Sequence, residues 1–329
     1  MSQTVPPPDS DAPRPLPRRP PTRPTAPRAN RPRFAPLDAV WAVVLATLSL
    51  ALSARLHTLV GGSFAAAGIV AALYLLGWRA RDRAAGVSAG LLAATSISFL
   101  STSAYSPLSA TFALLTVAAL FAFVAGSSLA ALALAAAATL VRPDGLLLGL
   151  LLMGLALAQQ RRRAIYGAAV FLVPLLAFWS ASIASGHGPP RLPAFGVHVG
   201  PLLWLWTPAT ALLVWLLLPF SAEMSEVQRR ARWLPVVLWA GLSLVTALFL
   251  TDTTPTGMLL PLLPPLFALA GGGLSRLLPT LAGEFPNPTA RYTLAVLAVL
   301  ALVGLHVRLE PGQSLAAISM STANGHRSR

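Results

Sequence analysis

Arg142-Pro143-Asp144-Gly145 interrupts a stretch that is otherwise apolar or small. Thirteen such residues precede it (Leu129 to Val141) and thirteen follow it (Leu146 to Ala158). Charged groups in hydrocarbon cost several kcal/mol, so they are expected to face a protein interior or water. A carboxylate held there can take or give a proton, which makes Asp144 the first candidate catalytic residue. Asp252, in the polar run Thr251 to Gly257, is the second. Arg142, His187, Arg191 and Tyr105 are the candidate substrate-binding side chains. Each has a plainer reading. Asp144 is equally an ion-pair partner of Arg142, or a cap on a helix starting near Gly145. Arg142 can snorkel to the interface. Asp252, His187 and Arg191 suit solvated loops, and Tyr105 suits an interfacial anchor.

Other chemistries are poorly served. The chain has no cysteine, so thiol nucleophiles, disulfides and zinc-cysteine sites are excluded. His187 and His198 lie eleven positions apart with no carboxylate nearby, so no metal site is expected, although a divalent cation cofactor stays open. The net charge of +14 comes from 24 basic residues, all of them Arg. No soluble recognition module accompanies them, so nucleic acid is not an expected partner. Arg gathers instead in the cytoplasmic loops of membrane proteins.

The elements that must position these residues are membrane helices. With 55% hydrophobic and 10% charged residues, the composition is that of a polytopic membrane protein. The expected fold is all-α, a transmembrane helix bundle of about eleven spans over residues 37–309. Residues 1–36, rich in Pro and Arg, are expected to form a disordered cytoplasmic tail, and 310–329 a disordered C-terminal one. The tail lacks the apolar core of a signal peptide. Spans are expected at 38–54, 58–78, 86–100, 108–125, 129–141, 146–158, 165–184, 201–220, 234–250, 258–274 and 292–309. Gly86 and Gly90 form a GxxxG pair suited to close helix contact. The prolines 261, 264 and 265 predict a kinked or broken tenth span, followed by a polar connection over 276–291. The two spans flanking Arg142 to Gly145 are short, about 20 Å each as helix, against a hydrocarbon core of roughly 30 Å. They either extend into their turns or line a cavity. Alternation puts the clusters Arg79 to Arg83 and Arg161 to Arg163 on the cytoplasmic side. It puts Arg142 and Asp144 outside, and sets the chain in the plasma (inner) membrane with its N-terminus inside.

Three stretches carry a family resemblance. The first includes Arg55-Leu56, Tyr74 to Arg79, Asp82-Arg83, Ala85-Gly86 and Leu91 to Ser96. The second is Thr139 to Leu148, and the third Met258 to Gly271. In order and spacing the chain resembles the GT-C superfamily of polytopic glycosyltransferases, in the bacterial branch of protein mannosyltransferases and lipid A aminoarabinose transferases. The resemblance implies transfer of a sugar from a polyprenyl-phosphate donor to an acceptor at the outer membrane face. It assigns a carboxylate as base toward the acceptor hydroxyl. It also assigns Arg to the departing phosphate, through bidentate contacts. The partners are then a lipid-linked sugar donor and membrane lipids.

The chain departs from that family in two places. The first two spans are joined almost directly at Ala54 to Thr58, without the usual long acidic first outer loop. Thr256-Gly257 also stands where the family has Arg-Tyr ahead of the Leu-Pro run. These departures leave a degenerate homologue, a noncatalytic membrane subunit and an enzyme with relocated acids all open. A transporter or lipid-linked-sugar translocase is the alternative from another class, because short Pro/Gly-interrupted segments also mark transporter binding sites.

Overall fold

The computed structural model describes residues 36–56, 61–159, 161–185, 227–249 and 260–283, together with Ala301. The described residues belong to one compact unit. The described residues are helical with short turns, and no strand occurs among them. The chain opens with α1 (Pro36–Leu56), α2 (Gly61–Ala80), α3 (Arg83–Thr95), α4 (Ile97–Tyr105) and α5 (Pro107–Val124). It continues with α6 (Ser128–Val141), α7 (Gly145–Gln159), α8 (Arg161–Ala184), α9 (Val227–Phe249) and α10 (Leu263–Gly283).

Local chemistry sets the breaks. Asp82 caps α3, its carboxylate accepting from the Ala85 amide at 2.8 Å. Ser96, in extended backbone, ends α3 and caps α4 by accepting from the Phe99 amide at 3.2 Å. The two helices meet there at 64°. The expected third span is therefore a bent pair, and it continues past Leu100 as helix as far as Tyr105. Pro107 opens α5 at a position where its missing N–H costs nothing. Gly126 closes α5 with φ 91°. The Ser127 amide reaches back to Ala122 and the Gly126 amide to Phe123, the paired bonds of a Schellman motif.

Pro264 and Pro265 do not kink a helix. They fall in the first turn of α10, where the preceding chain is already turning, and α10 then runs on to Gly283 through part of the expected polar connection. Four described helices are long and apolar enough to cross a membrane (α1, α2, α5 and most of α8), or five if the α3–α4 pair counts as one span. The helices α6 and α7 stay short at 14 and 15 residues. The apolar parts of α9 and α10 are shorter than a span as well. The expected eighth span, and all of the eleventh except Ala301, lie outside the described residues.

The core lies among α2, α3, α5, α6 and α10. Lipid offers no hydrophobic drive for helix pairing, so close backbone approach carries the packing. A Cβ on Gly77 would stand 2.9 Å from the Cα of Gly86, and one on Gly86 would stand 2.4 Å from the Tyr74 carbonyl oxygen. Of the expected GxxxG pair, Gly86 makes this contact, where α2 and α3 touch backbone to backbone, while Gly90 lies against the Leu45 side chain of α1. On the other face of α3, Gly271 of α10 approaches the backbone of Ala85 and Ala89. Helices α1 and α8 sit at the periphery and expose apolar side chains such as Val43, Val44, Val173 and Leu176. Those faces suit acyl chains, and the chain is a helical membrane protein.

Candidate functional site

Pro143 shapes the tetrapeptide. A residue before proline is pushed out of the helical region, and Arg142 is extended with φ −146° and ψ 135°. Helix α6 ends there. The chain turns through Pro143 and Asp144 and restarts as α7, with amides 145, 146 and 147 bonded to carbonyls three residues earlier. A Cβ on Gly145 would stand 2.5 Å from the Thr139 amide nitrogen, so glycine lets α7 fold back tightly against α6.

The turn gathers a polar group. The Arg142 guanidinium pairs with the Asp144 carboxylate at 2.5 Å, and both side chains are largely buried. It also donates to the Ser109 hydroxyl at 3.2 Å and lies 5.0 Å from the centre of the Phe112 ring. Ser109 and Phe112 belong to the first turns of α5. An ion pair, a hydroxyl and an aromatic face thus hold one planar cation at one end of the bundle. Of the two plain readings of Asp144, the ion pair is the one formed by its side chain.

Tyr105 ends α4 just before Pro107, at the same end of the bundle, and its side chain is 65% exposed. Asp252, His187 and Arg191 lie outside the described residues. Among the described residues no cluster of three His, Cys, Asp or Glu forms a metal site.

A second polar cluster, unremarked in the sequence, occupies the opposite end. Asp38, in the first turn of α1, has no exposed surface. Its carboxylate accepts from Arg83 Nε at 2.7 Å and Nη2 at 3.3 Å, and from the Tyr74 hydroxyl at 3.0 Å. Arg81 pairs with Asp82 beside it at 3.2 Å. Gly62 of α2 touches the Ser103 backbone, next to the start of α5. Twelve residues further along α2, Tyr74 reaches Asp38, so the clusters stand about 18 Å apart along that helix. Helix alternation could have placed Asp38 beside Arg79 to Arg83, but it could not have supplied the bidentate geometry.

This arrangement of helices is similar to that of one solved membrane protein. The apo crystal structure of the Archaeoglobus fulgidus oligosaccharyltransferase matches with a TM-score of 0.51 and 14% identity. The match covers 84% of this chain and 47% of that one. The chain thus spans about half the length of that protein, and the likeness is one of fold. It does not reach the bacterial branch. No family model matches the sequence, and no curated protein matches it.

Proposed function

We propose that the chain is a GT-C-like membrane glycosyltransferase. It moves a sugar from a polyprenyl-phosphate donor to an acceptor at the membrane face where Arg142 lies, which we take as the outer face of the plasma membrane. One observation carries the reading beyond the fold. A guanidinium is fixed at the bundle end by Asp144, Ser109 and Phe112, where a lipid phosphate would arrive. Arg142 binds that phosphate bidentately and stabilises it as it leaves. Binding takes Arg142 away from Asp144 and releases the carboxylate. Asp144 then accepts the acceptor hydroxyl's proton as the oxygen bonds to the anomeric carbon. The bond from that carbon to the phosphate oxygen breaks, and polyprenyl phosphate departs. Asp252 is the alternative base. Tyr105, His187 and Arg191 are further substrate contacts in this proposal.

The test uses purified protein in liposomes with a radiolabelled polyprenyl-phosphate sugar. Transfer or hydrolysis by the wild type, lost in Arg142→Gln, supports the reading. Full turnover in a folded Arg142→Gln variant removes it. A translocase is the second reading, favoured by the 64° break at Ser96 within one candidate span. Donor flux across the liposome membrane without turnover would select it.

A further inference from the structure

Some buried or half-buried hydroxyls in these helices bond back to their own helix. Thr95 reaches Leu91, Thr116 reaches Phe112, Thr139 reaches Ala135 and Ser275 reaches Gly272, at 2.7 to 3.0 Å. Ser49 and Ser53 of α1, Ser63 of α2, Ser103 of α4 and Ser243 of α9 do not. Each is at most 2% exposed, and none of their hydroxyl oxygens has a partner; the indole nitrogen of Trp239 in α9 is unpaired as well. Unpaired polar atoms in a protein interior call for a specific explanation, most simply a water or a ligand.

Four of these serines lie on three helices that pack on one another, α1, α2 and α4. Ser49 and Ser53 are one turn apart in the second half of α1, on one face. Ser63 begins α2, and Ser103 lies where Gly62 meets α4. All four belong to the half of the bundle that carries Arg142. The buried Asp38 at the far end is, by contrast, held by Arg83 and Tyr74. We propose that the seam between α1, α2 and α4 is a subsite for a neutral, hydroxyl-rich headgroup such as a glycosyl group, hydrogen-bonded by Ser49, Ser53, Ser63 and Ser103. Hydroxyls both donate and accept, so they match a sugar and have no preference for charge. Access comes through α1. Most of α1 is not buried against its neighbours, its ionic tie is at the far end, and nothing lies within 4 Å of a Cβ built on Gly61.

The choice of a glycosyl group rests on the glycosyltransferase reading, while the seam itself rests on the hydroxyls. The experiment therefore measures binding without turnover. Thermal unfolding is followed in nanodiscs free of glycolipid, with and without octyl glucoside below its micellar concentration. The variants are Ser53→Ala/Ser63→Ala/Ser103→Ala and, separately, Arg142→Gln. The glucoside should raise the Tm of the wild type and of Arg142→Gln by about 2–4 °C. The triple variant should not respond, and should be at least as stable as the wild type without glucoside, because it buries three fewer unpaired hydroxyls. Octanol is the control for the alkyl chain. An equal response in the triple variant, an equal response to octanol, or no response in the wild type overturns the subsite. Loss of sugar transfer with the glucoside response intact would count against the glycosyltransferase reading and leave the seam standing.

Discussion

Arg83 closes on Asp38 with two hydrogen bonds, tying the first turn of α3 to the first turn of α1 across 45 positions of sequence. The pair is unequal. The carboxylate has no exposed surface, whereas the Arg83 side chain is 48% exposed. Removing either partner therefore strands a different group. Asp38→Asn leaves a guanidinium that can turn to water. Arg83→Met leaves a buried carboxylate without its charged partner, the costlier outcome. Arg83→Met should lower the Tm more than Asp38→Asn. Thermal unfolding of both variants in one detergent checks the order, and the reverse order would refute the assignment.

Tyr74→Phe isolates the third member of that cluster. The ring keeps its volume and the carboxylate loses one donor. A hydrogen bond to a charged group contributes about 1.5–3 kcal/mol, so the variant should unfold earlier by that amount in a reversible denaturation series.

For the Arg142 group, shape matters as much as charge. Lys keeps the charge but cannot lie flat over Phe112 while reaching both Ser109 and Asp144. Arg142→Lys should therefore behave like Arg142→Gln. Losing a group that stabilises a leaving anion lowers turnover by about 10²–10³, and kcat on a polyprenyl-phosphate sugar is the measurement. Recovery of wild-type kcat in the Lys variant would show that only charge is needed.

Two glycines in α7 should respond in opposite directions. Gly145→Ala puts a methyl group against the backbone of α6 and should cost about 1–3 kcal/mol. Gly154→Ala meets nothing within 4 Å and should gain about 0.5–1 kcal/mol from helix propensity. Paired unfolding curves decide it. A gain in both variants would mean that the α6–α7 turn opens readily.

Much of this was legible because apolar runs and prolines act locally. The limits of α2, α5, α6 and α7 follow from runs of Leu and Ala bounded by Gly, Pro or Arg, and Pro143 announces its own turn. The bend at Ser96 carried no such mark, since one serine between two apolar segments looks like any other. The prolines of α10 were visible, but a proline in a first turn and one in mid-helix read alike until the start of the helix is known. At the candidate site, the Arg142–Asp144 pair could be read from its spacing of two. Ser109 and Phe112 could not, because they are brought in by the packing of α5 on α6. Asp38 stayed hidden for the same reason, with partners 36 and 45 positions away.

The contact of Gly271 with Ala85 and Ala89 has a consequence in time. Helix α10 fills one flank of α3, yet it is translated about 185 residues after Gly86. At 5–20 residues per second, that is a delay of roughly 10–40 s. Throughout it, α3 must present an alanine-lined flank to lipid, to an insertase or to a passing helix of another protein. Assembly of this chain is thus a race that its last described helix must win, and a truncation before Leu263 should leave α3 open to capture.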